Sequence, residues 1–451
     1  MKLEKRSITI LTELVEQMEK GFASLPDTDN SYNEDAVKKV LLETAERMQD
    51  NYPYFHPLYA GQMLKPPHPV ARMAYMMSMW INPNNHALDG SKASSPMEKE
   101  AVAEIAKMFG WSQHLGHLCG GGTMANLEAL WISGKTRPDK AIVASEMAHY
   151  TQSRISDVLQ LEFQPVPSDI NGRMDTDALE EILRSGNVGT VVATIGTTGA
   201  GAIDPLPQIL DLQKKYGFRI HADAAYGGYF KLVGNLDAPT QAAFDCLDRV
   251  DSIVIDPHKH GLQPYGCGCI LFQDPSVGAF YKHDSPYTYF TSKELHLGEI
   301  SLECSRPGAS AVALWATQQL LPMIPGGEFA AGLTKCRQAA LKLYEKIAAD
   351  SRFKTIMKPE LDIVVWAPAG DKASQISALS QNIFDLAAEN NLHLATFSYP
   401  ARLLKQTWKD LEFDEEQVIC LRSCLMKPEH LDWLDRIWEI LDKTVKGINK
   451  K

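Results

Sequence analysis

Between residues 141 and 272 one pattern recurs: a short apolar run, then a segment with helical spacing. The runs are Ala141–Ala144, Thr190–Ile195, Arg219–Ala222, Ser252–Ile255 and Cys269–Phe272, with helical patterns such as Leu206–Tyr216 between them. Short runs this uniformly apolar suit strands buried on both faces. Helices between successive strands supply the crossovers that a parallel sheet requires. The alternation therefore predicts an α/β fold with a mainly parallel sheet and helices on both of its faces. Only about a dozen residues separate the runs at 252 and 269, short for a right-handed crossover, so Cys269–Phe272 is expected to run antiparallel.

The remaining sequence extends this core. A chain of 451 residues exceeds a single ordinary domain. Residues 1–60 read as an N-terminal helical segment, with Ser31-Tyr-Asn-Glu34 resembling a capping box ahead of a helix over Ala36–Met48. Residues 61–325 hold the large domain, opening with helices over Ala71–Trp80 and Ser95–Phe109. Pro322-Met-Ile-Pro-Gly-Gly327 marks a boundary. Residues 326–451 then read as a small α+β domain: a helix Glu328–Ala349, strands near Asp362–Trp366, Leu392–Ser398 and Gln417–Cys424, and a closing helix near Glu429–Val445. The net charge of −11 gives no basic footprint for nucleic acid. No apolar stretch is long enough for a membrane span, and the first residues lack a signal-peptide core. The eight scattered cysteines suit a reduced, cytoplasmic protein.

The residues that could carry chemistry gather where predicted strands end. Ser252–Ile255 stops at Asp256-Pro257, because Pro257 cannot continue a central ladder, and presents His258, Lys259 and His260. In α/β folds ligands bind at that edge. A lysine held there is either a solvent-reaching side chain or a Schiff-base amine, whose usual carbonyl partner is pyridoxal 5′-phosphate. Cys119-Gly-Gly121-Gly122-Thr123 precedes a helix and is either a glycine-rich turn or a phosphate cradle of free N–H groups and a hydroxyl. Asp223 ends the strand His221-Ala-Asp, either as a helix cap or as a carboxylate facing a cationic ring nitrogen. Ala225 beside it is small enough to let a flat ring approach. His149 follows Ala141–Ala144 and could stack on such a ring. Gly196-Thr197-Thr198-Gly199 is another polar strand end. Several strand ends and one helix start thus offer complementary parts of one site. His114, His117 and Cys119 lack a second cluster to complete a metal site, and Ala129 breaks a Walker A spacing before Gly134-Lys-Thr136.

These motifs resemble the pyridoxal-phosphate group II amino-acid decarboxylases of fold type I. Asp256-Pro-His258-Lys259 is similar to the family's Asn/Asp-Pro-His-Lys, and His221-Ala-Asp223-Ala-Ala225-Tyr-Gly-Gly to its His-Val-Asp-Ala-Ala-Phe-Gly-Gly. Ala148-His149, Gly196-Thr197-Thr198 and His56-Pro57-Leu-Tyr59 have counterparts as well. From Ser285 onward the chain looks closest to archaeal tyrosine/aspartate decarboxylases, with Pro286-Tyr287-Thr288 similar to their Pro-Tyr-Leu. The resemblance implies a seven-stranded-type sheet, bound pyridoxal 5′-phosphate, an amino-acid substrate and a homodimer. It gives Lys259, Asp223 and His149 catalytic roles. Cofactor contacts would also come from Gly121, Gly122, Thr123, Thr197, Ala225, Asp256 and His258. Tyr59, Gln62, Arg306 and Arg422 are expected at the substrate, Arg422 being equally readable as an outward strand residue. Tyr287, or Tyr289, would donate a proton from a mobile loop over Tyr281–Gly298. The substrate would be tyrosine or another aromatic amino acid, or aspartate or glutamate. Tyr59-Ala-Gly-Gln62 is similar to a glutamate- and cysteine-sulfinate-decarboxylase motif. Ser305-Arg306-Pro-Gly308 also resembles sphingosine-phosphate lyases, which makes a carbon–carbon lyase the first alternative; a non-catalytic pyridoxal-phosphate-binding protein is the second. His260 departs from the aromatic residue common in the family and puts the pocket shape beside the cofactor in question.

Overall fold

The computed structural model describes residues 5–26, 28, 31–282 and 296–448. Seven strands form the main sheet: β1 (Leu115–Cys119), β2 (Ala141–Ser145), β3 (Phe163–Val166), β4 (Val188–Thr194), β5 (Arg219–Asp223), β6 (Ser252–Ile255) and β7 (Gly268–Phe272). Their order is β1-β7-β6-β5-β4-β2-β3. Neighbours from β6 through β5, β4 and β2 to β3 are parallel. β7 runs antiparallel to both β6 and β1, as the short connection requires. β2, β6 and β7 are buried along their whole length, which explains their unbroken apolar runs. The carboxyl ends of β2, β4, β5 and β6 therefore open on a single edge.

Two strands do not read as apolar runs. β1 carries His117 in its middle, and the buried ring is accommodated because Glu128 lies 3.1 Å from its Nε2. β3 contains Pro165, tolerated because β3 is the edge strand. At the N-terminus, the helix Glu34–Arg47 is capped by Asn33, whose side chain accepts from the Ala36 N–H at 3.0 Å, and not by the expected Ser31. That helix and Lys5–Phe22 bury none of their side chains.

A second, antiparallel sheet has the order β10-β11-β9-β8, with β8 (Phe353–Thr355), β9 (Ile363–Pro368), β10 (Ala395–Pro400) and β11 (Gln417–Cys424). The helices Glu328–Ala348, Ala373–Glu389 and His430–Ile448 share a core with it through Leu343, Trp366, Ile383, Leu421 and Leu441. An N-terminal strap is stitched to this sheet. Ala60 N–H donates to His393 O and Cys424 N–H to Ala60 O, each at 2.8 Å. The buried Lys427 ammonium donates to Tyr59 O at 2.6 Å.

Burial, aided by the charge of Lys65, pushes the Lys427 pKa down to about 8. A lysine in unfolded chain titrates near ~10.4. The charged form thus costs stability in the fold, and the unfolded state holds the extra proton between those two values. Stability is expected to rise with pH from about 8 toward ~10, by on the order of 3 kcal/mol at most. Urea unfolding across that window should show the gain in the wild-type protein relative to Lys427→Met; parallel curves would exclude it.

Candidate functional site

The edge where the parallel strands end holds a cavity of about 600 Å³. β6 ends at Ile255, and the following turn places Lys259 so that its Nζ lies 3.1 Å from Asp256 Oδ2. Asp256 is buried, and its Oδ1 has no hydrogen-bond partner. Opposite this turn the helix Gly122–Thr136 begins without a side-chain cap. Its first N–H groups are free by helix geometry, and Gly120 to Thr123 line the cavity. Gly121 has φ +148°, and a Cβ on Gly122 would come within 2.7 Å of Asp256 Oδ2. Glycine is therefore needed at this approach.

Asp223, at the end of β5, is 5% exposed and faces the same cavity. It accepts from Gln152 Nε2 at 2.7 Å, Asn126 Nδ2 at 3.4 Å and the Ala225 N–H at 3.2 Å. All three donors are neutral. His149, in the turn after β2, lines the cavity with Ala225. Its Nδ1 accepts from the Thr151 N–H at 3.3 Å and lies 2.7 Å from the Thr151 hydroxyl, which leaves the ring proton on Nε2. Burial holds its pKa below the ordinary histidine value, as it does for His258.

The structure thus gathers Lys259, Asp223, His149, Ala225, Asp256, His258, Gly121, Gly122 and Thr123 around one cavity. Others in the expected set stand apart. Thr197 is fully buried, with its hydroxyl accepting from the Ala202 N–H at 3.0 Å to brace the loop, while its neighbours Thr194 and Thr198 line the cavity. Thr194, whose buried Oγ1 has no partner, was not singled out from sequence because it sits inside an apolar run. Tyr59 is buried with its ring edge-on to Tyr54 at 4.9 Å, and its hydroxyl turns back to accept from the Gln62 N–H. Arg306 is no free clamp: its guanidinium lies 2.9 Å from Glu98 and also donates to Leu118 O and Asn85 O. The lyase-like segment around it therefore serves a buried ion pair. Arg422, on β11, donates to Gln62 Oε1 at 2.7 Å and to Thr198 O at 3.1 Å, next to the cavity wall. It points inward, against the reading of an outward strand residue. His260 turns away from the cavity, its Nε2 3.2 Å from Asp362 Oδ2 and its ring edge-on to Tyr226. Tyr287 and Tyr289 lie outside the described residues. The ends of their segment are packed: Tyr281 is buried against Trp131, and Leu297 is buried too.

Residues 128–367, more than half of the chain, match the family model described as the pyridoxal-dependent decarboxylase conserved domain. L-tyrosine decarboxylase of Enterococcus faecium is 25% identical, covering 92% of this chain and 89% of its own. A probable L-tyrosine/L-aspartate decarboxylase of Methanospirillum hungatei is 32% identical, covering 61% of this chain and 72% of its own. Among solved structures, that of Oryza sativa TDC with PLP and tryptamine superposes with a TM-score of 0.78 at 16% identity, covering 98% of this chain and 96% of that one.

Because Arg306 and Glu98 are almost fully buried, Arg306→Met should leave an uncompensated carboxylate and cost about 3–5 kcal/mol. Adding Glu98→Gln should recover much of that loss. Denaturant midpoints of the single and double variants check this; a stable Arg306→Met protein with altered substrate affinity alone would return Arg306 to the substrate site.

Proposed function

The chain belongs to the pyridoxal-dependent decarboxylase family, and from that premise we propose how its residues divide the work of an amino-acid decarboxylase. Pyridoxal 5′-phosphate is the family's cofactor, and when bound it supplies the electron sink for the pair left by the breaking Cα–carboxylate bond. The residues present fit this group. A glycine-only approach at an uncapped helix start suits a phosphate. A buried carboxylate held by neutral donors suits a protonated ring nitrogen. An amine at the same cavity suits the aldehyde.

Lys259 would hold the cofactor covalently, Asp223 its ring nitrogen, and Gly121, Gly122 and Thr123 its phosphate. His149 and Ala225 would flank the ring, with Asp256 and His258 setting the Lys259 turn. The observation that carries this reading is that Lys259, Asp223 and the helix start at Gly122 all line one cavity. Arg422 would orient the substrate carboxylate, since a guanidinium offers a bidentate fork. Arg422 already takes Gln62 Oε1, so Gln62 has its amide NH2 left to offer. That donor matches an acceptor on the substrate side chain, either the phenol of tyrosine or the carboxylate of aspartate or glutamate. Correct orientation of the scissile bond and exclusion of water are the protein's share of the rate. A proton returned to Cα by Tyr287 or Tyr289 remains part of the proposal.

A homodimer is part of this reading too. Its support is the family resemblance and the helix Glu34–Arg47, whose Val40, Leu41 and Leu42 are each about three-fifths exposed. A cytoplasmic location rests on cysteine usage.

Carbon dioxide release should be measured from each of the twenty amino acids. Tyrosine or an acidic amino acid should be the best substrate, giving the amine. Lys259→Ala should abolish turnover, and Arg422→Lys should lower kcat/KM by roughly 100-fold through loss of the planar fork. Borohydride reduction with peptide mapping should find the cofactor on Lys259; labelling of another lysine would overturn the assignment.

A further inference from the structure

Behind the carboxylate of Asp223 lies a chain of buried side chains that the reaction itself does not require. Gln152, in the helix Thr151–Val158, is 1% exposed. Its Nε2 donates to Asp223 Oδ2 at 2.7 Å and to Asn126 Oδ1 at 2.9 Å. Asn126 is 2% exposed and donates to Gly122 O at 2.8 Å as well as toward Asp223. His221 Nε2 lies 3.0 Å from Asn126 Oδ1, and His221 Nδ1 lies 2.9 Å from Ser252 Oγ.

Elementary valence fixes every proton in this chain. An amide oxygen only accepts, so His221 Nε2 carries hydrogen; its Nδ1 then accepts, and the Ser252 hydroxyl donates. The opposite flip of Gln152 would set its oxygen against two acceptors, Asp223 Oδ2 and Asn126 Oδ1. The orientation seen leaves Gln152 Oε1 buried without a partner. That is a cost of leaving a buried acceptor unmet, accepted so that both amide hydrogens can point at Asn126 and Asp223. Along the line from Ser252 through His221 and Asn126 each bond is directed toward the carboxylate, and such chains polarise one another. Burial pushes the His221 pKa down to about 4, so near neutral pH the side chains behind the carboxylate are uncharged.

We propose that Gln152 is a positioning residue for the cofactor: with Asn126 and His221 it locks the Asp223 carboxylate at a fixed distance from the phosphate-cradle helix while leaving its negative charge for the ring nitrogen. The inference rests on the assignment of Asp223 to that nitrogen. It adds that the spacing between the two ends of the cofactor site is set by a neutral side-chain relay joining β5, β6 and two helices. The Asn126 bond to Gly122 O, inside the cradle, makes that tie direct.

The test follows loss of cofactor from the holoenzyme by absorbance after gel filtration, between pH 6 and 9. The variants are Gln152→Leu, Gln152→Glu and Asp223→Ala. The titratable groups near residue 152 are Asp223 and His221 from β5 and His149 ahead of its helix, with Asp256 and Lys259 beyond. Gln152→Leu should release cofactor roughly 10-fold faster at every pH, the loss of one hydrogen bond to a charged acceptor. Gln152→Glu should hold cofactor nearly as the wild type at pH 6, where burial and the Asp223 charge keep the new carboxyl protonated and donating. By pH 9 it should release cofactor at least as fast as Gln152→Leu, because two carboxylates then face each other. Wild-type retention in Gln152→Leu, or the same pH-independent loss in both variants, would reduce Gln152 to packing and overturn the inference. Wild-type retention in Asp223→Ala would instead overturn the role given to Asp223 itself.

Discussion

The carboxylate of Asp223 is the constraint around which the cavity edge of the main sheet is arranged. It is buried, its three donors are neutral, and no cation among the described residues lies within ion-pair distance of it. A buried charge so placed is costly unless something answers it. The parallel sheet makes that placement useful. β4, β5 and β6 end side by side, which sets Thr194, Asp223 and the Lys259 turn along one edge. The helix start at Gly122 faces them with unpaired N–H groups. A flat, phosphorylated, cationic ring would match each of these demands at once, which supports the placement proposed for the cofactor.

Several buried polar groups outside the cavity have a partner within the protein. Arg306 has Glu98, His260 has Asp362, and Thr197 has the Ala202 amide. Thr197 and His260 each sit beside residues that line the cavity, whereas Arg306 does not. Proximity in sequence therefore says little about role here; Asp256 Oδ1 and Thr194 Oγ1 at the cavity are without protein partners, but so are His260 Nδ1 and Arg306 Nε away from it.

Much of this was legible from sequence because parallel-sheet strands are buried on both faces and ligands gather at their ends. Ser252–Ile255 and Gln417–Cys424 match the observed strands, and the antiparallel turn of β7 followed from connection length alone. β1 and β3 were missed because one buries a histidine against Glu128 and the other is an edge strand with a proline. At the site, the strand-end residues were found because glycine, proline and lone polar residues punctuate apolar runs. Gln152, Asn126 and the inward course of Arg422 were not, since their meaning lies in partners up to 360 residues away. The Arg306 reading failed for the same reason: nothing local announces Glu98.

The strap at residues 59–62 has a consequence for how the molecule is made. Among the described residues, all those lining the cavity lie between Gly120 and Lys259, so they leave the ribosome well before β11 is made. The Tyr59 region, by contrast, waits for His393, Cys424 and Lys427 before it can be fixed, and Gln62 waits for Arg422. Domains fold as units during synthesis. The nascent chain thus acquires the walls of the cavity early, and the Gln62–Arg422 contact beside it only once β11 has been made.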